Sequence, residues 1–179
     1  MPMIVNFDAA ENAAIMDVAQ RMCAAARTAP KTKGIDRICS AIITDKDKDA
    51  LAQEMRRLAE KYGFGFFKRD ADNVDASYAV VLIGSSMGTR GLNEGCRLCK
   101  KKNCADCEES QSICVYDPLD LGIAIGSAVS VAADGRIDNR VMFSVGKAAM
   151  SLGMLGREMA LVFGIPLSAS GKSPYFDRK

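Results

Sequence analysis

A chain of 179 residues, 49% hydrophobic and 26% charged, has the length and composition of one globular domain with a full core. Its 24 basic and 22 acidic residues nearly cancel, and aromatics are few with no Trp, which argues against nucleic acid and against an anionic membrane surface as partners. Histidine is absent, which excludes Ser-His-Asp and Cys-His catalytic pairs, His-ligated zinc and imidazole acid–base catalysis.

Met1 to Asp8 has no basic segment leading into a long apolar run, so no signal peptide is expected, and a cytoplasmic location follows. Asp8 is expected to cap a first helix whose stripe is Ile15, Val18, Met22 and Ala25, ending before Pro30 and Gly34. Arg27 to Gly34 reads as a basic, polar loop. Ile38 to Ile43 is a buried strand. Thr44 or Asp45 opens a second helix with Leu51, Met55, Leu58 and Tyr62 on one face, stopped by Gly63. Phe64 to Phe67 reads as a short strand, Asp72 to Ala76 as a helical turn, and Tyr78 to Ile83 as a strong strand.

A glycine-bearing loop, Gly84 to Gly95, follows. Its opening Gly84-Ser85-Ser86-Met87-Gly88 matches neither the dinucleotide nor the Walker pattern. Beyond the cysteine-rich segment a helix is expected from Leu119 to Ala133. Its uncharged run, Leu121 to Ala133, spans roughly 20 Å as a helix, short of a bilayer core of about 30 Å, and reads as a core helix. Gly122 and Gly126, four apart, suggest close helix packing. Val141 to Val145 is read as a strand, Lys147 to Leu155 as a helix, and Met159 to Ile165 as a last apolar run before Pro166. The polar tail, Ser168 to Lys179, is expected to pack on the surface or on a partner. The expected architecture is a single α+β domain over residues 1–179, in layers, with residues 92–116 as a Cys-rich insertion in a loop.

Seven cysteines in a chain without a secretion signal point to metal or redox chemistry rather than a disulfide scaffold. Cys23 and Cys39 fall on helix and strand faces and read as buried small apolar residues. The other five are spaced Cys96-x2-Cys99-x4-Cys104-x2-Cys107-x6-Cys114. Thiolates two residues apart turn tightly around one metal or one cluster face, and soft sulfur suits iron. Three readings compete. The first is a [4Fe–4S] cluster on Cys96, Cys99, Cys104 and Cys114, leaving Cys107 spare. The second is a [2Fe–2S] cluster on Cys99, Cys104, Cys107 and Cys114, with a final gap short for that type. The third is structural zinc on Cys96, Cys99, Cys104 and Cys107, with only four residues between the pairs where a dozen or more are usual. An iron–sulfur centre implies electron transfer, with a redox partner protein or a small-molecule acceptor. Zinc implies a structural or sensor module without turnover. Arg97, Lys100, Lys101 and Lys102 interleave with the cysteines and would stabilise an anionic cluster. As a nucleic-acid patch, Lys100 to Lys102 is too short.

Three blocks carry a family resemblance: Ala25 to Lys31 (AARTAPK), Asp120 to Ala128 (DLGIAIGSA) and Gly164 to Lys172 (GIPLSASGK). With them the chain resembles, over nearly its whole length, the ferredoxin-domain-containing proteins known as domain of unknown function 2148. That resemblance implies a small [4Fe–4S] domain and matches Cys96, Cys99, Cys104 and Cys114 to its ligand pattern. The family pattern has glycines beside the first cysteines, where this chain has Arg97 and Lys100. A fainter resemblance, on Ala25 to Pro30, Asp120 to Ala124 and Phe163 to Pro166, is to the nitroreductase fold. It implies a three-layer domain, an intertwined homodimer, and flavin mononucleotide (FMN) at the subunit interface of a flavin-dependent reductase. Arginines near the start of the first helix usually grip the flavin phosphate there. Asp8 to Ala14 supplies none, and Arg27, Lys31, Lys33 and Lys172 are the cations available instead.

Overall fold

The computed structural model describes residues 4–176. Helix α1 (Phe7–Thr28) is opened by Asn6, whose side chain accepts the Ala9 N–H at 2.9 Å. Asp8 therefore sits in the first turn, favourably placed for the helix dipole, and is not the cap expected from sequence. A short 3-10 turn, Thr32–Gly34, leads to strand β1 (Ile38–Ile43), with the bounds expected. Helix α2 (Asp45–Tyr62) ends at Gly63, which takes the left-handed conformation at φ 70°. Helix α3 (Gly65–Asp75) then absorbs both the strand expected at Phe64 to Phe67 and the turn expected at Asp72 to Ala76. Phe67, Ala71 and Val74 are buried at spacings of four and three, so the helical period wins over a short apolar run that alone suits either element.

Strand β2 (Ala79–Ser86) is buried along nearly its whole length. Then come helix α4 (Cys104–Glu109), helix α5 (Tyr116–Asp134), a two-residue strand β3 (Asp138–Asn139), helix α6 (Phe143–Leu152) and strand β4 (Met159–Ser168). The strand expected at Val141 to Val145 reduces to a single bridge, Met142 to Gly164, and α6 begins one residue later. Val145, Ala148 and Ala149 face the core from that helix. No helix among the described residues is long and apolar enough to cross a membrane.

The sheet is antiparallel throughout, in the order β1-β2-β4-β3. Helices α1 and α5 cover one face, where Val81 and Ile83 of β2 and Ile165 of β4 meet Ile15, Met22, Leu121 and Ala128. Helices α2, α3 and α6 cover the other, against Val80 and Leu82. A strand buried on both faces has no polar side to show, which is why Ala79 to Ile83 is continuously apolar. Pro166 is tolerated inside β4 because its nitrogen faces a gap. Gly164, two residues earlier, points its N–H to Met142 on the β3 side, and β3 itself stops at Asn139, opposite Leu167.

Helix α6 lies directly on β4 at Gly146, where a Cβ would stand 1.8 Å from the Val162 carbonyl oxygen. Gly146→Ala must push the helix off the strand, and a loss of about 3 kcal/mol is expected. Urea unfolding of the two proteins checks this; a change within about 0.5 kcal/mol would refute the contact. By contrast, Gly122 and Gly126 lie on the exposed side of α5 with nothing within 4 Å of a Cβ, so close packing within this chain is not their role. In the tail, Tyr175 is buried and its hydroxyl shares a 2.9 Å hydrogen bond with Ser77 Oγ. Asp177, Arg178 and Lys179 lie outside the described residues.

Candidate metal centre

The chain leaves the sheet at Ser86 and returns to a helix at Tyr116, and the segment between carries all five clustered cysteines. It is wound tightly. Asn93, Arg97, Lys100 and Gln111 all have φ between 46° and 61°, a region that glycine occupies without strain. Arg97 and Lys100, each directly after a cysteine, are two of these positions. Asn103 caps α4 by accepting the Asp106 N–H at 3.0 Å, and Thr89 Oγ1 ties the strand exit to that helix by donating to Glu108 at 2.5 Å.

Cys96, Cys99, Cys104, Cys107 and Cys114 line one cavity of about 330 Å³, part of it open to solvent, together with Arg90, Arg97, Lys101 and Tyr116. Cys104 accepts the Asn93 N–H at 3.3 Å. That amide, with those of Gly91 and Leu92, draws its thiol pKa below the usual range. Cys107 is 1% exposed and donates its Sγ–H to the Ser112 carbonyl at 3.3 Å. Burial, and then the neighbouring Cys99, push its thiol up to about 11. Burial raises Cys114 as well, and the Tyr116 hydroxyl is pushed up by the Cys96 thiol beside it. Among the described residues no three His, Cys, Asp or Glu side chains are gathered closely enough to hold a single metal ion. Cys23 and Cys39 lie elsewhere and are half-buried.

Behind the cavity lies a buried ion network that sequence reasoning did not find. Arg90, 2% exposed, donates from Nη2 to Asp120 at 3.0 Å and from Nη1 to the Gly88 carbonyl at 2.6 Å, with Nη1 also 2.9 Å from Asp117 Oδ1. Asp120 accepts the Thr32 N–H at 3.1 Å and its hydroxyl at 2.8 Å, and Asp117 accepts the Gly88 N–H at 3.1 Å. A signal was present: two aspartates three apart at the inner start of an apolar helix need a buried cation.

The four cations considered for a flavin phosphate are not brought to one place within the chain. Arg27 pairs with Asp36 at 2.9 Å. Lys31 closes the end of α1, its Nζ donating to the carbonyls of Ala26, Arg27 and Ala29. Lys33 is exposed and reaches toward Gly91. Lys172 follows β4, whose last residues pair with the start of β2, whereas Lys33 and Arg37 stand at the other end, where the Ser86 N–H bonds the Arg37 carbonyl. Of the cations interleaved with the cysteines, Arg97 and Lys101 reach the cavity wall. A second cleft, about 940 Å³ with its open mouth, adjoins the first through Thr89 and is lined by Arg37, Met87 and Glu108 among others.

A four-stranded antiparallel sheet between helices, carrying a thiol-lined loop, has the fold of the nitroreductases. A nitroreductase-type protein of Desulfovibrio desulfuricans, solved in complex with FMN, matches at a TM-score of 0.58 and 12% identity, over 100% of this chain and 83% of its own. Nitroreductase CinD of Lactococcus lactis, in complex with chloramphenicol, matches at 0.56 and 13%, over 88% and 81%. A BluB-like flavoprotein of Clostridium difficile 630 matches at 0.55 and 16%, over 96% and 88%. At such identities the likeness is one of fold.

The chain belongs to the family described as "Uncharacterized protein containing a ferredoxin domain (DUF2148)", whose model matches residues 110–178. An uncharacterized protein of Archaeoglobus fulgidus is 39% identical to it over 184 residues, covering 98% of each chain.

Proposed function

We propose that the chain is an iron–sulfur redox protein that holds a [4Fe–4S] cluster on Cys96, Cys99, Cys104 and Cys114, within an inserted segment spanning residues 92–116. One observation carries this: five thiols line a single cavity while no three close around a single point. A mononuclear zinc site needs four ligands converging on one ion. A cluster instead takes each sulfur on a different iron and spaces them more widely. Cys107 is set aside because its thiol proton is committed to the Ser112 carbonyl in a buried position. The amides on Cys104 favour a thiolate at that ligand.

When bound, such a cluster supplies a one-electron couple. The protein's own part is to hold the thiolates, to direct backbone N–H groups at them, and to keep one side open. Cys96, Cys99 and Cys104 are only half-buried, and Leu98 beside them is exposed, which suits approach by a redox partner protein. The adjoining cleft at Met87 and Thr89 suits a small-molecule acceptor. Exposed Leu119 and Ile123, with the bare Gly122 and Gly126 between and beyond them, give α5 an outer surface suited to a homodimer.

Flavin binding is the second reading, favoured by the FMN complex of a protein that shares this fold. Arg27, Lys31, Lys33 and Lys172 do not converge in one chain, so a phosphate grip made from them needs a second subunit, and no step here is routed through flavin.

The test is the absorption spectrum and metal content of protein purified under strict anaerobiosis with iron and sulfide supplied. A broad band at roughly 400 nm with about four irons per chain is expected. Paired flavin bands would add the reductase. Zinc at about one per chain with no iron would replace the cluster by a structural site.

A further inference from the structure

Arg90 does more than a buried ion pair requires. Its guanidinium is held from two sides, by Asp120 and the Gly88 carbonyl, with Asp117 alongside, and those carboxylates are fixed in turn by Thr32 and Gly88. Its Nε is buried and, among the described residues, has no hydrogen-bond partner. Buried N–H groups of a cation are rarely left without an acceptor. Arg90 is also a wall residue of the cavity that the five cysteines line. An anionic group in that cavity would supply the missing acceptor.

We propose that Arg90 is a positioning residue for the cluster, its Nε–H donating to a sulfur of the cluster or of a ligating cysteine while Asp117 and Asp120 hold the guanidinium in place. This rests on the reading of the cavity as an iron–sulfur site. It is a role that the exposed cations of the loop do not duplicate, since a buried donor is not screened by water or salt. Hydrogen bonds to cluster sulfurs stabilise the reduced, more negative state and raise the reduction potential. Through Asp120, whose other partner is Thr32, the same guanidinium couples the cysteine loop to the end of α1.

Two measurements on anaerobically assembled protein test this. Arg90→Lys keeps the charge and removes the Nε–H. With iron content at the wild-type level, its midpoint potential is expected to fall, so that at the wild-type midpoint the reduced-to-oxidised ratio drops about tenfold, or about 59 mV for a one-electron couple. An iron-loaded variant with an unchanged potential overturns the proposal, because a purely structural Arg90 would leave the potential alone. Should Arg90→Lys fail to fold, the wild-type residue is observed directly. Protein labelled with 15N at arginine Nε, carrying Arg97→Lys to silence the other arginine at the cavity, is reduced and examined by electron–nuclear double resonance. A 15N coupling with an exchangeable proton is expected, and its absence overturns the assignment. Protein that takes up no iron overturns the cluster reading and Arg90's role together; iron without the coupling or the shift overturns only the latter.

Discussion

Replacing Cys99 or Cys104 by serine is expected to leave anaerobically assembled protein nearly colourless, with bound iron reduced at least about tenfold, whereas Cys107→Ser keeps the colour and the iron. A serine oxygen is a hard, weakly acidic ligand and holds iron poorly where a thiolate is needed. The contrast between the positions comes from their surroundings. Cys104 receives backbone N–H groups from Asn93, Gly91 and Leu92, which favour the thiolate. Cys107 is buried, its thiol is pushed up to about 11, and its proton is already donated to Ser112. Serine at 107 can keep that hydrogen bond. Iron analysis and visible absorption on the series decide it. A colourless Cys107→Ser beside a coloured Cys96→Ser would move the fourth ligand from Cys96 to Cys107.

The second large effect is on stability. Asp120→Ala removes the partner of Arg90 Nη2, with both side chains buried, and the acceptor for both the amide and the hydroxyl of the half-buried Thr32. Arg90 keeps Asp117 and the Gly88 carbonyl, so the loss comes from the donors left unmatched at Arg90 Nη2 and Thr32 and is about 2–3 kcal/mol, less than for breaking a lone buried pair. The expected result in urea is a lower midpoint with an unchanged slope. Asp120→Asn, which keeps an oxygen for Thr32 or for Arg90, should lose less than the alanine variant. A loss below about 1 kcal/mol for Asp120→Ala would mean that the network is dispensable. That would also weaken the link it provides between the end of α1 and the cysteine loop.

Much of this was legible along the chain, for reasons that can be named. Ile38 to Ile43 and Tyr78 to Ile83 read as strands because each is a compact apolar run between polar stops, and β1 and β2 lie there within one or three residues, β2 buried along nearly its whole length and β1, at the sheet edge, half-buried between Ile38 and Ile43. Helix α2 read true because Gly63 ends it in the left-handed conformation, which glycine enters without strain. The misreadings were short apolar runs. Phe64 to Phe67 and Val141 to Val145 each suit a strand or the start of a helix, and only the sheet in place, with Phe67 and Val145 turned into its core, decided for the helix.

The candidate centre divides in the same way. Soft-ligand chemistry is local: five cysteines in nineteen residues and no histidine in the chain point to sulfur ligation, because such a cage would close within one loop. The sequence by itself therefore determined where the thiols gather, which is what the proposed site rests on. Tertiary structure alone decided what supports it. Arg90, Asp117, Asp120 and Thr32 meet across separations of up to 88 residues, and a buried charge declares its partner only once the chain has folded water away from both.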